Sequence, residues 1–221
     1  MAEPTNSTNE KRLSQVIAER RTTPNFSNEP VRDEDLQHII EAGLHAPSGY
    51  NTQPWRFVVV RDAEQRRKLA VAAMNQKRVA EAPVVIVACG DAGALKDDDL
   101  EEMLRLAAEH GFGTEANHEA VRRNFPRFLE SLEMAVWLNR QVMIAFTQMM
   151  LMAEVLGYDT APLEGFWEDK VKQLLEIPDS ARVVALLCIG HRQGPDKPFG
   201  GRFAMKRTVF AESWGRPFQR P

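Results

Sequence analysis

Cysteines, spaced metal ligands, catalytic signatures and long apolar runs are scarce in this chain, and each shortage removes a class of function. Cys89 and Cys188 are its two cysteines. Each lies in an apolar, strand-like run, so each reads as a small buried hydrophobe and not as a disulfide partner or metal ligand. The histidines (His38, His45, His110, His118 and His191) lack zinc-site spacing, and no metal is expected. There is no GxSxG elbow, no Walker loop, no GxGxxG after a first strand and no glycosidase carboxylate pair. Chemistry, if there is any, is therefore expected to come from a cofactor. Charge of one sign is also missing: the formal net charge is -3, which gives no field for nucleic acid or an anionic membrane. The apolar runs are too short to span a bilayer and the N-terminus is polar, so a cytoplasmic setting is expected.

What is present is enough apolar sequence for one substantial core, 43% of 221 residues. Residues 1–9 are polar and read as a flexible tail, with 10–221 as a single domain. A short helix carries Leu13, Val16 and Ile17 on one face. Arg20, Arg21, Thr22 and Thr23 follow, and guanidinium forks beside hydroxyls suit phosphate oxygens. An ordinary solvated helix end has the same composition. A second helix, introduced by Asp33 as N-cap, leads to Ala46-Pro47-Ser48-Gly49-Tyr50-Asn51-Thr52-Gln53-Pro54-Trp55. Pro47 stops that helix. Ser48, Asn51 and Gln53 offer donors and acceptors to a flat heteroaromatic or a polyol. On composition alone an ordinary helix-to-strand loop looks the same.

Strand-like runs follow at 57–60, 84–88 and 183–189, with a shorter one at 208–210. Residues 91–130 are charged and irregular. Their acidic cluster (Asp97, Asp98, Asp99, Glu101, Glu102) suits a helix N-terminus, where carboxylates complement the dipole. The stretch 137–156 is helical and apolar around most of its circumference, which places it at a domain centre or across a subunit interface. Gly157 closes it. Ala161-Pro162-Leu163-Glu164-Gly165-Phe166 comes next, and a Gly- and Pro-rich loop runs from 194 to Arg202. Phe210 and Trp214 near the chain end suggest burial against a partner.

Several of these segments, in this order, resemble the nitroreductase family of flavoenzymes. The 46–55 stretch is similar to its APSGxNxQPW loop. Arg20, Arg21, Thr22 and Phe26 are similar to an RRSxRxF-like segment, with Pro24 standing where a basic residue is common. Residues 153–157 are similar to an AExLG-like helix end, and 162–166 to a P-[ILM]-E-G-F segment. Arg202 matches the second basic residue of a K/R-x-R pair, whose first position is here Gly200.

The resemblance implies FMN (flavin mononucleotide), tightly but non-covalently bound at a homodimer interface. Its phosphate would be held by Arg20, Arg21, Thr22 and Arg202. The ring and its edge would be held by Pro47, Ser48, Gly49, Asn51 and Gln53 from one chain, and by Leu163, Glu164 and Gly165. Lys77 or Gln76 would touch the ring. Phe125, Arg127 and Phe128 become candidate substrate contacts, with core packing as the alternative. The implied fold is α+β: a central mixed sheet flanked by helices on both faces, in an intertwined homodimer. Residues 91–130 would form a variable helical lid and 203–221 an arm on the partner. The implied activity is ping-pong transfer of hydride from NAD(P)H through flavin N5 to a nitroaromatic, quinone or related conjugated acceptor. Reductive dehalogenation is the alternative chemistry, with Glu115, Asn117 or Arg127 clamping a zwitterion. A non-catalytic flavin-binding protein is the alternative outside enzymes.

Overall fold

The computed structural model describes residues 11–95 and 97–218; the tail expected at 1–9 lies outside the described residues. The chain runs α1 (Leu13–Glu19), α2 (Asp33–Leu44), β1 (Trp55–Val60), α3 (Ala63–Ala72), α4 (Lys77–Glu81) and β2 (Val84–Asp91). It continues α5 (Asp97–Glu109), α6 (Glu115–Glu130), α7 (Met134–Val155), β3 (Asp159–Leu163), α8 (Glu168–Leu175), β4 (Ala181–Gly190) and α9 (Met205–Thr208). The strands form one sheet in the order β1-β2-β4-β3.

Alternation along the two central strands splits the core into two layers. Val85, Val87 and Cys89 of β2 face one side with Leu186 and Cys188 of β4, and meet Leu69, Val79 and Val171 from α3, α4 and α8. Val84, Ile86 and Ala88 face the other side with Leu187 and Ile189, and meet Ile39, Phe146 and Met149 from α2 and α7. Helices therefore cover both faces, as expected for an α+β chain. Both cysteines are buried in the first layer as free thiols, and burial pushes each up to about 12. A β-bulge between Ala88 and Cys89 leaves Val184 of β4 unpaired, since Ala88 pairs Ala185 and Cys89 pairs Val183.

Two expectations about the sheet need correction. All three strand pairings are antiparallel, so the sheet is not mixed; a single parallel bridge, Thr22 to Thr160, lies outside the strands. The fourth strand is 159–163, not 208–210. Pro162 sits in it without disruption because β3 is, among the described residues, an edge strand whose outer side meets only the isolated bridge from Thr22 to Thr160. Residues 205–208 are helical instead, and Phe210 bridges Pro217 in a local turn, where Gly215 takes a positive φ of 87°.

Helix α7 packs its buried stripe, including Leu138, Val142, Phe146 and Met149, on α2 and the sheet. Its opposite face leaves Val136 and Ile144 exposed. At the contact with α2, a Cβ on Gly43 would stand 2.6 Å from Met149 Cγ, so the small residue sets the approach of the two helices. Asp35 ties α2 to the start of β3. Burial alone would raise its pKa, but the Arg32 fork (2.7 and 2.8 Å) and the Tyr158 hydroxyl hold it below the usual carboxylate range.

The charged stretch 97–130 forms two helices. The acidic residues open α5, and α6 begins in a capping box between Thr114 and Asn117. Arg122 of α6 grips Glu101 of α5 through two bonds of 2.8 and 3.0 Å. Arg56 of β1 meets Asp99 of α5 at 2.7 Å. No helix among the described residues is long and apolar enough to cross a membrane.

Candidate functional site

Three groups of residues converge on chemistry, and each is built by a different part of the fold. The first is cationic. The segment after α1 is stitched to β3 and to the residues after β4: Thr22 bridges Thr160, the Thr23 N–H donates to the Thr160 carbonyl at 2.9 Å, and Phe26 bridges Arg192. This fixes Arg20, Arg21 and Thr22 beside β3. Arg21 Nη1 donates to the carbonyls of Ala18, Glu19 and Arg20, closing the end of α1. Arg21 and Arg202 both lie against the ring of Phe199, at 4.5 and 5.2 Å from its centre. Phe199 thus gathers two cations that are far apart in the chain. Arg20 Nη1 is buried and has no hydrogen-bond partner among the described residues.

Under this group lies Glu154. It accepts the Thr160 N–H at 3.0 Å and the Thr160 hydroxyl at 2.7 Å. Burial pushes its carboxyl from 4.5 up to about 7, against the opposing pull of the Thr160 hydroxyl, Lys11 and Arg20. The sign follows from linkage. A carboxyl raised on folding contributes stability that is complete below its ordinary 4.5 and is lost as pH rises through about 7. The melting temperature of the native protein is therefore expected to fall between pH 5 and pH 8 relative to Glu154→Gln, which keeps an oxygen for Thr160 but does not ionise. Parallel melting curves against pH for the two proteins would contradict this.

The second group is at the far end of β3. Leu163 is buried, Glu164 is exposed and Gly165 is half-buried. The Gln76 amide donates to the Gly165 carbonyl at 2.7 Å. Of the two residues expected near this edge, the structure places Gln76 there, while Lys77 is exposed and paired with Glu81 at 2.8 Å. Met74 and Asn75, just before Gln76, have positive φ of 56° and 58°. L-residues rarely adopt this region, and strain of this kind clusters at ligand sites.

The third group is the 46–55 loop. Tyr50, Asn51 and Gln53 have positive φ of 56°, 57° and 46°. The shape is held by the Gln53 N–H donating to Ser48 Oγ at 3.0 Å and the Gly49 N–H donating to Gln141 Oε1 at 2.8 Å. A Cβ on Gly49 would stand 3.3 Å from the Trp137 ring. Pro47 and Asn51 are exposed, Ser48, Gly49 and Gln53 half-buried. The loop faces a cavity of about 580 Å³ whose other wall is built by α5 and α6.

The expected substrate residues are distributed differently. Phe125 is 1% exposed, packed with Leu95, Trp137 and Leu138. It does not line the cavity itself; Tyr50, which does, stands with its ring 5.4 Å from Phe125 and 5.0 Å from Phe128. Arg127 is exposed on α6 and does not line the cavity. Within one chain, among the described residues, no hydrogen bond or ion pair links the loop to the cationic group. Gln141 is not singled out by the sequence, and Glu154 enters there only as part of the 153–157 helix end, without a role. Their available signal was a polar residue on the buried face of an otherwise apolar helix.

The chain as a whole has clear relatives. Residues 17–191 match the family described as Nitroreductase family. The chain is 35% identical over 192 residues to a protein of Thermus thermophilus named NADH dehydrogenase, covering 86% of this chain and 91% of that one. A solved Bacillus subtilis structure assigned as a nitroreductase superposes with a TM-score of 0.82 at 27% identity, covering 90% of this chain and 97% of that one. A structure from Exiguobacterium sibiricum, assigned likewise and solved in complex with FMN, has a TM-score of 0.82 at 26% identity, covering 91% and 98%. By family match, identity over most of its length and architecture, this chain belongs to the nitroreductase family.

Proposed function

We propose that the protein is an FMN-dependent oxidoreductase that carries reducing equivalents from NAD(P)H to a nitroaromatic, quinone or related conjugated acceptor. The observation that carries this is the buried Nη1 of Arg20, without a partner among the described residues, next in the chain to Arg21, which shares the Phe199 ring with Arg202. A buried guanidinium N–H without an acceptor is costly, and a phosphate dianion satisfies it. The cationic group therefore fits the phosphate end of FMN. The FMN complex of the Exiguobacterium relative supports the same cofactor.

In this assignment Arg20, Arg21, Thr22 and Arg202 hold the phosphate. β3 runs from Thr160 beside that site to Leu163, and continues to the Glu164–Gly165 backbone, which Gln76 orients at the ring edge. Pro47, Ser48, Gly49, Asn51 and Gln53 supply the second wall, contributed by the partner subunit's copy of the loop. Bound FMN supplies a two-electron carrier with its hydride-accepting atom at N5. The α5–α6 pair excludes water from the reacting face. Reductant and acceptor stack in turn on the same face of the ring, as a ping-pong scheme requires.

The homodimer is supported by the apolar surface one chain leaves uncovered: Leu13 and Ile17 of α1, Val136 and Ile144 of α7, and Phe203 and Trp214 near the C-terminus. We take 10–221 as one domain, with 91–130 as lid and 203–221 as an arm on the partner, in a cytoplasmic protein with small-molecule partners.

The test is anaerobic mixing of the FMN-loaded protein with NADH or NADPH, followed by a quinone. The flavin band is expected to bleach with the nucleotide and return with the quinone. A protein that binds FMN but never bleaches is the non-catalytic flavin binder, and one that stays colourless overturns the cofactor assignment.

A further inference from the structure

We propose that the acceptor is a neutral molecule bearing an apolar group, alkyl chain or fused ring, that lodges between the 46–53 loop and the α5–α6 pair. This rests on the oxidoreductase reading above and narrows its substrate class. The cavity of about 580 Å³ is large enough for a drug-sized ligand. Its outer wall is Met103, Leu104, Ala107 and Phe112, and among the described residues no Asp, Glu, Lys or Arg lines it.

The polar groups that do line it are mostly engaged. Asn117 Oδ1 accepts from the Thr114 N–H and hydroxyl at 2.9 and 2.6 Å. His118 Nε2 donates to the Phe112 carbonyl at 2.9 Å, which also makes Nε2 the protonated nitrogen. Ser48 Oγ accepts from the Gln53 N–H. The Asn51 side-chain amide makes no hydrogen bond among the described residues and stands on the loop side, where a conjugated head group would sit. A charged ligand entering this wall would lose hydration with nothing to replace it.

This disfavours the zwitterionic substrate of the dehalogenase alternative. The groups expected to clamp it are occupied or elsewhere: Glu115 pairs with Arg122 at 3.2 Å, Asn117 caps α6, and Arg127 does not line the cavity. Phe112 is 73% exposed at the cavity edge, between Gly111 and Gly113 with φ of 68° and 82°. Only glycine holds such angles without strain, so the turn presents a large ring on two permissive joints. His118 anchors that turn by its carbonyl.

The experiment measures binding and turnover together. The FMN-loaded protein is titrated calorimetrically with 1,4-naphthoquinones bearing no, methyl, propyl or hexyl chains, and with a sulfonated naphthoquinone. KM is measured for the same set. The dissociation constant is expected to fall about two- to fourfold per methylene over the first few carbons. The sulfonated compound is expected to bind worst. Ala107→Trp fills the cavity and is expected to flatten the chain-length dependence. Phe112→Ser, at an exposed position, is expected to weaken the hexyl compound more than the methyl one, and serves if the Trp variant does not fold. Affinity independent of chain length, or equal affinity for the sulfonated compound, overturns the proposal. Turnover of every quinone with equal affinity leaves the oxidoreductase and removes the apolar site. Chain-length-dependent binding without turnover removes the oxidoreductase and leaves the ligand class.

Discussion

Removing Arg20 and Arg202 together, as Ala, is expected to strip FMN from the protein while leaving its fold intact. Charge-assisted hydrogen bonds contribute about 1.5–3 kcal/mol each, so losing two predicts a fall in FMN affinity on the order of 10²- to 10⁴-fold. The two residues are unequal. Arg202 is exposed and its Nη1 donates to the Gly201 carbonyl, so Arg202→Ala alone is expected to be the milder change. Arg20 is half-buried with its Nη1 unpartnered, so Arg20→Ala alone removes a group the free protein must otherwise bury unsatisfied. The variant without cofactor is therefore expected to melt no lower than the cofactor-free parent. Flavin fluorescence titration measures the first effect and thermal melting the second. Flavin occupancy unchanged in the double variant would refute the phosphate assignment.

Gly190→Ala is expected to destabilise the fold more than any other single-methyl addition discussed. Gly190 ends β4, and a Cβ there would lie 2.5 Å from Pro83 Cδ, 2.9 Å from Pro83 Cγ and 3.1 Å from Phe26 Cδ1. Its backbone lies in a region any residue adopts, so the effect is one of space alone. A pyrrolidine ring cannot rotate away, and Pro83 directly precedes β2, whose first residue Val84 pairs with Ile189. Overpacking costs about 1–3 kcal/mol, and the upper end corresponds to a melting-temperature loss of roughly 6–12 °C for a chain of this size. Gly43→Ala makes the control. Its clash at 2.6 Å is with a methionine side chain, which can change rotamer, and alanine is the better helix former. Melting curves that put Gly43→Ala below Gly190→Ala would show that the ring at Pro83 yields.

Three of the four strands were legible as apolar runs: β2 and most of β4 are buried on both faces, whereas β1 is an edge strand that leaves Arg56 and Val59 exposed. The fourth was not. Residues 159–163 carry a proline and lead into Glu-Gly, the composition of a loop, and become a strand only because the edge of the sheet tolerates Pro162. Thr208-Val209-Phe210 has the opposite history: β-branched and aromatic residues suggested a strand, but the chain there closes on itself. The long helix was legible from its length and apolarity. In the site, the loop and the arginines could be picked out by resemblance, whereas their neighbours could not. That Phe199 collects Arg21 and Arg202, that Gln76 and not Lys77 meets Gly165, and that Phe125 is screened by Tyr50 are all products of tertiary packing. No local periodicity encodes such contacts.

Tyr50 joins two parts of the site that the chain order keeps 75 residues apart. Its ring rests on Phe125 and Phe128 of α6, while its backbone shapes the bend at Asn51. The α6 helix and the bend of the 46–53 loop are thus coupled through one side chain: in the flavin-dependent reading proposed above, any displacement of α6 would be felt at the loop backbone.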